Sequence, residues 1–105
     1  MDRISQLNDL LSADPNDPFL YFALAKEFEK LKEFQEAKKR YEYLLANFSD
    51  YSATYYHLGK LLEFLNENQE AKKIYLQGIN LTAASGEQHA WSELKAALNN
   101  IEIDL

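Results

Sequence analysis

Cysteine is missing from the chain, so neither a disulfide nor thiolate chemistry can belong to it. Glycine and proline are almost as scarce, with three and two residues in 105. Both disfavour helix interiors, and their scarcity beside abundant Ala, Leu, Glu, Lys and Gln favours an all-helical fold. Long apolar runs are missing too: the longest, Phe19 to Ala25, is far too short to span a bilayer. Met1-Asp2-Arg3-Ile4 does not open a basic stretch followed by an apolar one, so no secretory leader is expected and the cytoplasm is the default setting. Basic residues are outnumbered: eleven Lys and Arg against seventeen Asp and Glu leave a net charge of −6. Such a molecule repels polyanions, which argues against nucleic acid and anionic membranes as partners.

What the chain does contain is a self-match. Gln35-Glu36-Ala37-Lys38-Lys39-Arg40-Tyr41 returns as Gln69-Glu70-Ala71-Lys72-Lys73-Ile74-Tyr75, thirty-four residues later. Laid over 52–85 without a gap, residues 18–51 are identical at twelve of thirty-four positions, among them Tyr21, Leu24, Lys26, Glu29, Leu31, Glu33 and Tyr41. A fixed period of that size points to stacked supersecondary units, not to a single irregular core. The length allows one domain, and a 13% aromatic content argues against disorder.

Apolar spacing then divides the chain into about six helices. Ile4, Leu7, Leu10 and Leu11 mark the first, over 2–12. Asp17 caps the second, with Pro18 at its first position, and Leu20, Tyr21, Leu24, Ala25, Phe28 and Leu31 form its inner stripe. After a short turn at Lys32-Glu33, a third helix carries Phe34, Ala37, Tyr41, Leu44, Leu45 and Phe48 inward. So short a connection makes the two antiparallel neighbours. Asp50 is the expected cap of a fourth helix burying Tyr55, Leu58, Gly59, Leu62 and Leu65. Asn66 with Gln69 reads as the cap of a fifth, which runs to about Thr82 through Ala71, Ile74, Tyr75, Gly78 and Ile79. Gly78 inside that helix is best explained by a neighbouring helix pressing close. Ser85-Gly86-Glu87-Gln88 reads as the capping box of a last helix with Ala90, Trp91, Leu94, Ala97, Leu98 and Ile101 on one face.

These residues resemble the tetratricopeptide repeat. Tyr21, Leu24, Ala25, Phe28, Ala37 and Tyr41 follow its pattern in one unit, and Tyr55, Leu58, Gly59, Leu62, Ala71 and Tyr75 follow it in the next. Pro15 falls where the closing proline of an earlier unit would lie. The resemblance implies an α-solenoid of antiparallel helix pairs in a right-handed superhelix, treated as a single domain over 1–105. Residues 2–17 would be a leading half repeat, 18–51 and 52–85 two repeats, and 86–105 a terminal capping helix. Lys32 and Asn66 replace the glycine usual between the helices, and Lys95 stands where a third repeat would carry Gly or Ala.

By the same resemblance the activity is non-catalytic: an interaction module, scaffold or adaptor holding a peptide or protein segment in a concave groove. Groove positions carried onto this sequence are Phe19, Phe22, Lys26 and Glu29, then Tyr56, His57, Lys60 and Phe64, then His89 and Ser92. All lie off the inner stripes, so the aromatics among them either form an exposed interaction surface or pack beneath the end helices. Lys26 and Lys60 either present ammonium groups to ligand carboxylates or pair along the helix with Glu29 and Glu63. Phe22 and His57 occupy places where the carboxylate-clamping variety of the family carries Lys and Asn, so a terminal carboxylate is not the expected ligand. The alternative to groove binding is self-assembly into a homo-oligomer through exposed helix faces.

No catalytic constellation accompanies the repeat. Carboxylates are plentiful but none is paired in an apolar setting, and no phosphate loop or nucleophile elbow occurs. His89 and Glu93 share a helical face, but two ligands make no metal site. No enzyme activity, cofactor or metal is expected.

Overall fold

The computed structural model describes residues 2–104, with side chains through Glu102. Among these the chain is all α, with six helices and no strand: α1 Arg3–Ala13, α2 Pro18–Lys30, α3 Phe34–Asn47, α4 Ala53–Phe64, α5 Asn68–Ser85 and α6 Gln88–Asp104. They fall into two compact units, Met1–Tyr51 and Ser52–Leu105. The second begins where the second copy of the self-match begins.

In the first unit α2 packs along α3, and α1 lies against α2. Asp2 caps α1 by accepting the Ser5 N–H at 2.7 Å, and Asp17 caps α2 by accepting the Phe19 N–H at 3.0 Å, with Pro18 at the first helical position. Leu7, Leu20 and Leu24 are buried together, with Ile4, Leu11, Ala23 and Phe28 packed on them. Ala25, Ala37, Tyr41 and Leu44 complete the buried set. Each such leucine contributes roughly 1.5–3 kcal/mol on leaving water.

In the second unit α5 lies against both α4 and α6, and α4 also touches α6. Its core is Tyr55, Leu58, Leu61, Leu62, Ala71, Ile74, Tyr75, Leu94, Ala97, Leu98 and Ile101. Glycine here is a matter of space. A Cβ on Gly59 would sit 2.1 Å from Cε1 of Tyr75, and one on Gly78 would sit 2.6 Å from Cβ of Tyr55 and 2.9 Å from Leu94. The close approach expected at Gly78 is therefore present, and Gly59 lets α4 and α5 meet over the Tyr75 ring.

Both hairpins turn in the same way. Lys32 N–H donates to Glu29 O at 2.9 Å and Glu33 N–H to Phe28 O at 2.8 Å; Asn66 N–H donates to Glu63 O at 2.9 Å and Glu67 N–H to Leu62 O at 2.8 Å. This is the Schellman arrangement, and it puts the residue after the cap in the left-handed region, with φ 61° at Lys32 and 63° at Asn66. The missing glycines are thus replaced without a change of backbone.

The pair of tyrosines shared by the two copies is fastened identically. The buried Tyr41 hydroxyl donates to the Glu29 carboxylate, and the Tyr75 hydroxyl to Glu63. Burial, and then the adjacent carboxylate, push both phenols well above their usual range.

Several expectations need correction. Asn66 is not a cap but the left-handed residue of the turn; α5 starts at Asn68 after Glu67, which makes no side-chain cap bond. Asp50 does not cap α4, whose N-cap position is Ser52. Ser85 belongs to α5, which ends at the left-handed Gly86 instead of near Thr82. Leu31 is 61% exposed because it is the C-cap of α2, beyond the packed turns. Leu10 is 50% exposed because α1 has only α2 of its unit to lie on. Two buried residues escaped the pattern by being polar. Thr82 satisfies its hydroxyl on Gly78 O at 2.8 Å, whereas Oγ1 of Thr54 has no hydrogen-bond partner.

Three stability measurements follow from this geometry. Lys32→Gly relieves a left-handed lysine and raises the unfolding free energy by about 1 kcal/mol, seen as a higher urea midpoint at unchanged slope, while Asn66→Gly gains less because asparagine tolerates that region. Gly59→Ala forces the fully buried Tyr75 ring aside and costs about 1–3 kcal/mol. The unfolded chain ionises Tyr41 and Tyr75 near the ordinary pKa of 10 while the folded chain keeps them protonated. Their contribution is therefore complete below that pH and is lost as pH rises above it. Thermal unfolding should show a shallower alkaline decline in the double variant Tyr41→Phe/Tyr75→Phe than in the parent, although at neutral pH each change costs about 1–2 kcal/mol.

Candidate functional site

On α2 the spacing of Phe19, Phe22, Lys26 and Glu29 puts all four on one face. Phe19, in the first turn, is 53% exposed. Phe22 is half-buried, with its ring 6.1 Å from that of Tyr41 and 5.8 Å from that of Tyr51. Lys26 is half-buried, and Glu29 holds the Tyr41 hydroxyl. Within this unit the face is thus a framework with one projecting ring.

The second unit arranges its share differently. Tyr56, His57, Lys60 and Phe64 follow one side of α4. The Tyr56 and His57 rings meet edge to face, with centroids 5.5 Å apart. Phe64 is 66% exposed at the end of the helix. Lys60 Nζ lies 3.9 Å from Glu63, as the helical pairing anticipates, so its ammonium group already has a carboxylate partner. Such an exposed pair contributes only about 0.3–0.5 kcal/mol and would yield to a better partner.

Between α4 and α6 a cleft of about 260 Å³ opens. Ser52, Ala53, Tyr56 and His57 line it from the α4 side, and Ala90, Glu93 and Leu94 from α6. Tyr56 and His57 are thereby brought together with a carboxylate the repeat pattern did not offer as a groove residue. His89 and Ser92 are exposed on α6, and neither is part of the lining. The His89 Nε2 lies 3.7 Å from Glu93 Oε2, an ion pair only when the imidazole is protonated. The one sequence signal for Glu93 is its place four residues after His89, which marks a shared helix face but not a cleft.

Ser52 of the lining is held by Glu87. Its carboxylate accepts the Ser52 hydroxyl at 2.6 Å and the Ser85 hydroxyl at 2.5 Å, linking the start of α4 to the α5–α6 turn. These two donors hold the Glu87 carboxyl below its ordinary pKa.

Two other concavities differ in chemistry. One of about 250 Å³ beside Trp91 is lined by Thr82, Ala83, Gly86 and Gln88 and contains no charged side chain. Another, of about 430 Å³ on the first unit, is lined by Tyr21, Tyr43, Glu36, Lys39 and Arg40. There Glu36 already faces Arg40 at 3.4 Å and Lys39 at 3.8 Å, so its one carboxylate is shared by two cations. Among the described residues no group of three or more His, Cys, Asp or Glu side chains could hold a metal, and no helix is long and apolar enough to cross a membrane.

No family model matches the sequence, and no curated protein matches it either. Solved structures do. The solution structure of a tetratricopeptide repeat domain protein from Salinibacter ruber is 42% identical, with 85% of this chain and 90% of that one aligned at a TM-score of 0.81. A crystal structure of a tetratricopeptide repeat domain protein from the same organism is 40% identical, covering 83% of this chain and 97% of that one at a TM-score of 0.78. A Bordetella parapertussis protein shares the fold at a TM-score of 0.84 and 21% identity, over 99% of this chain and 90% of its own. With its thirty-four-residue period, paired helices and 42% identity over nearly the whole of a repeat-domain protein, this chain belongs to the tetratricopeptide repeat family.

Proposed function

We propose that this protein is a non-catalytic interaction module that holds an extended segment of a protein partner, with the α4–α6 cleft as a principal contact. The observation that carries this reading is the cleft itself: a half-buried aromatic, Tyr56, and a carboxylate, Glu93, face one side-chain-sized hollow between helices. Aromatic anchors in such hollows supply most of the energy of small interfaces. Phe64 and Phe19 extend the contact surface of their own units as exposed rings, since large apolar side chains left in water favour a partner. Lys60 and His57 border the surface on α4, and His89 borders it on α6. Lys26, Phe22 and Glu29 act mainly as framework within the first unit.

A second reading is self-association through exposed helix faces. It draws on Leu10 and Leu76, which are both half-exposed on α1 and α5. Light scattering over a concentration series separates the two, because a monomer at high concentration removes the second.

Peptides selected by display on the immobilised parent protein provide an identified probe for the first reading. Tyr56→Ala should weaken their binding by about tenfold or more, the loss of one aromatic anchor, while leaving the melting temperature within a few degrees. A large fall in melting temperature with no selective loss of binding would make Tyr56 a packing residue and remove the cleft from the function.

A further inference from the structure

We infer that the α4–α6 cleft receives a basic side chain, arginine in preference to lysine, from the partner segment; this rests on the reading of the cleft as a partner-binding surface. The argument is one of uncommitted charge. Most carboxylates that the structure places at key contacts are already satisfied. Glu29 and Glu63 each hold a tyrosine hydroxyl, Glu87 holds two serine hydroxyls, and Glu36 faces both Lys39 and Arg40. Glu93 is different. It lines a hollow, and its partner is His89 at 3.7 Å, beyond hydrogen-bond reach, on a side chain that is 91% exposed. A guest cation would displace so weak a contact with little loss.

The walls fit the same guest. Tyr56 lines the hollow from α4 and Glu93 from α6, and Ala90 supplies apolar surface for an aliphatic stem. A planar guanidinium can stack on the ring and meet the carboxylate through two N–H donors, which an ammonium cannot do. The hollow of about 260 Å³ accepts one long side chain. The molecule's net charge of −6 favours approach of a basic segment over an acidic one. The Trp91 hollow lacks a charge and the Tyr21 hollow carries two cations against one carboxylate, so neither competes for this guest.

The test is an NMR titration of the whole protein with three synthetic peptides that differ only in a central Arg, Gln or Glu. The Arg peptide should shift the amide signals of Tyr56, His57, Ala90 and Glu93 and bind about tenfold more tightly than the Gln peptide, with the Glu peptide weaker still. Glu93→Gln should erase the Arg preference while leaving the unfolding midpoint and the remaining signals in place. His89→Ala should preserve the preference, since the imidazole is not the guest's partner. Equal shifts by Arg and Gln peptides that Glu93→Gln does not alter would overturn the charge inference and leave the cleft as a binding surface. An Arg peptide that moves only signals near Glu36 would overturn it as well. Failure of all three peptides to move the cleft signals would overturn both the inference and the reading beneath it.

Discussion

The contact on which the second unit depends is that of Tyr75 with the bare backbone of Gly59. A methyl group on Gly59 would lie 2.1 Å from the ring, so the distance between α4 and α5 is set by the absence of a side chain on one helix and a flat one on the other. The ring is then fastened at its far end, where its hydroxyl meets Glu63 on α4. Steric contact fixes how near the helices come, and the charge-assisted hydrogen bond fixes their register. Tyr41 and Glu29 repeat the fastening between α2 and α3. Two chemically identical locks in two separately compact units explain why tyrosine, and not phenylalanine, occupies both positions.

The turns show how a local rule can be broken without breaking the fold. A left-handed residue after each first helix is what lets the chain reverse within three residues, and glycine is the natural occupant. Lys32 and Asn66 take that conformation and keep the same pair of backbone bonds. Packing of the flanking helices outweighs a cost of about 1 kcal/mol per site. Where no such pair of repeat helices follows, at the end of α5, the chain does use glycine, with φ 77° at Gly86.

Much of this was legible in the sequence, and the failures share a cause. The period and the apolar stripes located all six helices, the Asp17–Pro18 start and the small residues at the close contacts, because those features follow from local chemistry repeated in register. The caps at Asp50, Asn66 and Ser85 misled because residues suited to capping are also suited to turns, and only the backbone decides between them. Leu10 and Leu31 misled because periodicity gives a face and says nothing of whether a neighbour covers it. Glu29 and Glu63 looked like partners for lysine; they are also acceptors for tyrosines twelve residues on, a relation that exists only once the hairpin has closed. Glu93 was visible as half of a surface pair, but its place in a hollow depends on how α6 meets α4, and no spacing within α6 encodes that.

The comparison of the two copies also separates what the hairpin needs from what is left to vary. Positions that match between them are largely those that the hairpin needs: buried Leu24 and Leu58, buried Ala37 and Ala71, and the tyrosines with their glutamates. Even the matched Lys60 has a helical partner in Glu63. The residues that bring chemistry to the cleft do not match, since Phe22 corresponds to Tyr56 and Ala23 to His57. A repeat spends its identical positions on pairing its own helices, and so a specific surface has to be built from the positions left free to differ. The hollow between α4 and α6 is built in that way, and its one uncommitted carboxylate comes from α6, outside either copy. If the proposed cleft is the binding surface, its specificity begins where the repetition stops.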